Sequence, residues 1–207
     1  MPHLSIRRTA GVAAAALMAA CSAPPQLGAQ WTDPSLGSQS GLLRSAKVVV
    51  ACEAADVAIR QICQDQLAAE VVARGATPVF ALPDAPLATD RSIDGQLVPG
   101  ARGAGASAVL VVTLTPAAID SSPGFSIGIG GFGGLGRSGA VGVGVAAPIG
   151  GGRVDTGFAA NGRVTDVASG RLVWTASAAA PPSSDLNAQF SALSKAVLNA
   201  AERAGLF

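Results

Sequence analysis

The side chains able to do covalent or acid–base chemistry are few, and their scarcity narrows the field. Among 207 residues there is one histidine, His3, and no tyrosine. The body of the chain therefore has no imidazole to serve as general base for a Ser-His-Asp or Cys-His nucleophile, and none to ligate zinc. Three cysteines are present, Cys21, Cys52 and Cys63, and the later pair is not spaced as CxxC. Metal binding is not expected of them. Carboxylate chemistry survives in form, since Asp120, Asp155 and Asp166 could be imagined as paired acids of an envelope hydrolase. Aspartates in loops and turns more commonly hydrogen-bond their own backbone, and that is the expectation here. Gly128-Ile129-Gly130-Gly131-Phe132-Gly133 matches G-x-G-x-x-G, but glycines continue after it and no helical pattern opens, so no dinucleotide site is expected. No catalytic residue, metal or cofactor is assigned.

Cys21 is positioned by the stretch before it. Arg7 and Arg8 precede an apolar run from Gly11 to Ala20, and small residues close it. That is the layout of a secretory signal. The run is too short for a bilayer span, which takes about 20 apolar residues. Leu17-Met18-Ala19-Ala20-Cys21 resembles the lipobox of bacterial lipoproteins, with Met18 where leucine is usual. The resemblance implies that the Cys21 thiol is acylated and becomes the new N-terminus. An ordinary secreted protein cleaved near Ala20 is the alternative. Ser22 rather than aspartate follows the cysteine, which resembles lipoproteins sent on to the outer membrane.

About 187 residues remain after cleavage, enough for one domain with a real core. The formal charge of +1 becomes about −1 once Arg7 and Arg8 are removed. There is no basic run, and nucleic acid is not an expected partner. With Cys21 carrying lipid, Cys52 and Cys63 are left as an even pair in an oxidising compartment. They could form a disulfide or stay as two buried thiols. One falls at a strand end and the other well inside the following helix.

The pattern then supplies the elements. Residues 21–45 are rich in Pro, Ser, Gly and Gln without a sustained period, and read as a lipidated flexible tether. Residues 46–207 read as a single α/β (α+β) domain. It is expected to hold a mixed sheet of about five to seven strands, two or three helices and a Gly-rich β-hairpin at 123–152. Lys47–Ala51 is a continuous apolar strand. Ala55–Arg74 has helical spacing through Ile59, Ile62, Cys63, Leu67, Val71 and Val72. Thr77–Leu82 is a second strand, Ser92–Arg102 a weak helix, and Ala108–Leu114 a buried strand ending near Pro116. Phe125, Ile127 and Ile129, then Val141, Val143 and Val145, alternate with small residues as in a hairpin. Its strands are short of the 9–11 residues that span a membrane, so it is read as a surface hairpin or flap. A second hairpin joins Thr156–Val167 to Arg171–Ala179 across Gly170, Pro181-Pro182 stops it, and Ser183 or Ser184 caps a last helix.

Two local phrases, Gly103–Val111 and Gly162–Trp174, together with the cysteine-led start, resemble a group of periplasm-facing lipoproteins. The group includes the curli secretion-channel lipoprotein, the penicillin-binding-protein activator lipoproteins and related uncharacterised families. The resemblance implies a non-catalytic binding or assembly module of the cell envelope. It would be anchored in the outer membrane through Cys21, with an envelope protein or polymer as partner. A subunit of an oligomeric secretion channel is the alternative. The group shares no catalytic residues to transfer.

Overall fold

The computed structural model describes residues 23–37, 39–80, 92–117 and 156–207. The signal, Cys21, the hairpin expected at 123–152, Asp120 and Asp155 lie outside the described residues. Among the described residues six strands form one mixed sheet: β1 (Gln26–Thr32), β2 (Lys47–Glu53), β3 (Thr77–Val79), β4 (Ala108–Ala117), β5 (Thr156–Asp166) and β6 (Leu172–Ser183). Three α-helices accompany them among the described residues: α1 (Val57–Ala73), α2 (Ile93–Gly103) and α3 (Leu186–Arg203). The spatial order is β1-β6-β5-β4-β2-β3, in which β2 runs parallel to both β3 and β4 and the other pairs are antiparallel.

The period-two rule decides which side chains meet which helix. Val48, Val50 and Cys52 of β2, Leu110 and Val112 of β4, and Phe158 and Val164 of β5 face the layer made by α1 and α3. Val49 of β2 and Val109 and Val111 of β4 face the other way, onto Leu97, Val98 and Ala101 of α2. The middle strands are thus apolar on both sides, which is why they read as unbroken runs. Helix α1 starts at Asp56, whose carboxylate accepts from the Ala58 and Ile59 amides at 2.7 and 3.1 Å. It gives way at Arg74 to Gly75, which takes a φ of +78° suited to glycine. Helix α2 carries Pro99 within it, and its apolar side against Val49, Val109 and Val111 offsets the lost backbone bond. Among the described residues no helix is long and apolar enough to cross a membrane.

Several expectations need correction. Residues 26–32, expected in the tether, form edge strand β1 on β6. Gly41 and Leu43, expected there too, donate to the Gly205 and Leu206 carbonyls at 2.9 and 2.7 Å, and Leu43 is fully buried. Strand β1 is held through its backbone, and the segment after it by backbone bonds and the isolated buried Leu43, so no regular period announces it. Pro116 does not end its strand. It pairs with Phe158, and the register runs on to Ala117 opposite Gly157. The ladder to β2 stops at Thr113, so beyond that point a proline on that side removes no bond. Pro181 and Pro182 likewise lie inside β6, past its last pairing with β1 at Ala179. Asp185, not Ser183 or Ser184, caps α3 by accepting from the Ala188 amide at 3.0 Å. Val72 is solvent-exposed rather than part of the α1 stripe.

Candidate functional site

Strand β2 leads through α1 to β3 on one side, and β3 leads through α2 to β4 on the other. The helices of the two crossovers cover opposite faces. The β2/β4 boundary is therefore the topological switch point of the parallel part of the sheet. Open α/β sheets bind ligands beyond the carboxyl ends of strands at such a point. Glu53 is the last residue of β2, and it sits in register with Thr113 of β4 at that boundary.

Four side chains converge there on the α2 face. The Thr113 hydroxyl donates to Glu53 Oε2 at 2.8 Å. Arg163 comes from β5, in register with Val111. Its Nη2 donates to Asp94 Oδ1 at 3.1 Å, its Nε lies 2.9 Å from Asp94 Oδ2, and Nη2 is 3.8 Å from Glu53 Oε2. Asp94 stands in the first turn of α2, where the helix dipole favours a carboxylate. Asn161, opposite Thr113 on β5, is exposed beside them.

The electrostatics of this cluster are unequal. Burial pushes the Asp94 carboxyl above the ordinary carboxylate value, Arg163 opposes that push, and Glu53 adds to it. Two carboxylates thus share one guanidinium, and the more exposed Glu53 faces solvent at the rim. Hydroxyl, guanidinium, carboxylate and amide in one patch make a surface for hydrogen-bonding polar partners. No group of three or more acidic, cysteine or histidine side chains positioned to hold a metal ion occurs among the described residues.

The residues singled out in the sequence go elsewhere. Cys52 and Cys63 are joined as a disulfide, with Cα atoms 6.0 Å apart and both side chains buried. The link ties the carboxyl end of β2 to the second turn of α1, because the short 54–56 connection folds the helix straight back along the strand. Asp166 is a turn residue. Burial would raise its carboxyl, but the Ser169 hydroxyl and amide and the Ala168 amide outweigh this and hold it below the ordinary value. Trp174 is fully buried in the core and packs the sheet.

Sequence reasoning passed over Glu53, Asp94 and Arg163. The available signal was a charged residue in phase with a buried position of an inner strand, as Arg163 is with Thr165.

No family model matches the chain, and no curated protein does. Among solved structures, the chain is similar to the PelC dodecamer from Paraburkholderia phytofirmans at 16% identity and a TM-score of 0.48, covering 84% of this chain and 94% of that one. A point variant of the same PelC dodecamer, in another crystal form, gives 16% identity and a TM-score of 0.48, covering 88% of this chain and 99% of that one.

Proposed function

We propose that the chain is a lipoprotein anchored in the outer membrane by acylated Cys21 and facing the periplasm. Its α+β domain acts there as a non-catalytic binding or assembly module of the cell envelope. The observation that carries this reading is the fate of the cysteines. Once Cys21 is assigned to lipid, the remaining two are bonded to each other, an arrangement suited to an oxidising compartment. The basic, apolar and small-residue order ahead of Cys21 supports the same address.

The module reading draws on the switch-point cluster. Its charged groups are paired with one another, and Glu53 and Asn161 remain at the rim to hydrogen-bond a polyhydroxylated polymer or a polar protein surface. The mass of the mature N-terminus, measured beside a Cys21→Ser variant, tests the anchor. The expected result is a diacylglycerol-sized addition on Cys21 that vanishes in the variant, together with release of the variant from membranes. A mature chain without lipid, soluble on cell fractionation, overturns the proposal.

A further inference from the structure

The deduced tether nearly disappears in the structure, and this constrains how the domain can meet the bilayer. Between Cys21 and Gln26, the first residue of β1, stand only Ser22, Ala23, Pro24 and Pro25. Even fully extended, those five Cα steps reach about 18 Å, and the Pro-Pro pair favours a shorter, stiffer path. If Cys21 is acylated, the β1 edge of the domain stands against the headgroup layer.

A groove of about 430 Å³ lies on that edge, between the incoming chain and α3. Pro24, Pro25 and Leu27 form one wall, and Lys195, Asn199 and Arg203 stand on the other. The last three recur at four-residue steps, so they share one helix face and span about 12 Å along it. Lys195 and Arg203 are exposed and make no ion pair among the described residues. The neighbouring acids are taken up elsewhere. Arg74 holds Glu70 at 2.6 Å and Glu202 at 3.6 Å, and it also donates to Asn199 Oδ1. Leu27 is partly exposed at the mouth of the groove. Apolar surface and two uncompensated cations lie where the anchor enters.

We infer that this groove seats the phosphate headgroups of phospholipids in the membrane that holds the anchor, with Lys195 and Arg203 as the phosphate-facing cations. The inference rests on the acylation of Cys21 proposed above. Juxtamembrane cations of this kind are drawn to anionic lipid. The domain then lies with α3 toward the bilayer, and the α2 face with its Glu53–Arg163 cluster points away.

The test uses the acylated full-length protein in vesicles of phosphatidylethanolamine and phosphatidylglycerol containing a headgroup-quencher lipid. A fluorophore is placed through Ala192→Cys in the groove or through Asn161→Cys on the opposite sheet face. The groove label should be quenched at least twofold more than the other. Lys195→Glu with Arg203→Glu should lower the quenching of the groove label at least twofold, with little change at the other label, while the protein still floats with the vesicles. Equal quenching in the parent protein, or groove quenching indifferent to the charge reversal, overturns the inference with the anchor intact. Failure of the parent protein to float overturns the anchoring proposal instead.

Discussion

Removing the Cys52–Cys63 bridge should cost the domain a measurable and calculable amount of stability. The bond closes a loop of 11 residues between the end of β2 and the second turn of α1. Loop-closure entropy for that length gives about 3 kcal/mol. For a chain of this size each kcal/mol moves the melting temperature about 2–4 °C, so the expected fall is about 6–12 °C. The assay is a thermal scan of the Cys21→Ser protein, oxidised and then reduced, beside the same chain carrying Cys52→Ala and Cys63→Ala. Reduction leaves both sulfurs in place and reports the cross-link alone. The double alanine variant adds the packing lost from two buried positions, so it should melt at or below the reduced form. Thiol titration of the denatured, unreduced protein should find no free thiol. Two titratable thiols, or a reduced form melting within about 2 °C of the oxidised one, would refute the reasoning.

Two further outcomes follow from the packing and charge already described. A Cβ on Gly162 would collide with Val197 Cγ1 inside the core, so Gly162→Ala should lower the unfolding free energy from denaturant titration by about 1–3 kcal/mol, and adding Val197→Ala should recover part of it. Unchanged stability in the single variant would show that α3 can yield there. Arg163→Met removes the main cation facing Asp94, whose carboxyl burial already holds above its ordinary value. The carboxyl should rise further, costing about 1–2 kcal/mol at neutral pH after allowance for solvent at the rim. A raised carboxyl favours the folded state when protonated, so the deficit should shrink as the pH falls below the folded value. A deficit that is constant between neutral and mildly acidic pH counts against the pairing.

Much of the core was legible because its pattern is local. Val48–Val50 and Ala108–Val112 are apolar on both faces, and Phe190, Leu193, Val197 and Ala201 recur at helical steps in α3. A central strand between two helical layers and an amphipathic helix each leave such a signature. The Gly170 turn was legible for the same reason, since it takes a φ of +69° between two alternating strands. Strand β1 was not. Six of its seven residues are exposed, and it is held to β6 through its backbone, which every sequence shares. The prolines misled where they stood past the end of one neighbouring ladder, because pairing on the remaining side does not need their missing N–H.

The site was less legible than the fold for a topological reason. Glu53 and Arg163 come from distant parts of the sequence and are brought together only by the order β5-β4-β2. That order depends on β4 inserting between a parallel neighbour and an antiparallel one, which no local pattern reports. Yet the charges themselves were visible. Arg163 belongs to an alternation that otherwise buries Thr165, and Asp94 is a carboxylate in the first turn of the helix that covers this face. Burying a carboxylate is costly unless it is paired, so an acid on the inner side of one element requires a cation on its neighbour. Arg163 meets that requirement for Asp94, and Thr113 satisfies Glu53 at the rim. The cluster is thereby fixed in place by its own electrostatics. A partner binding at the switch point would meet a preformed surface rather than one it must order.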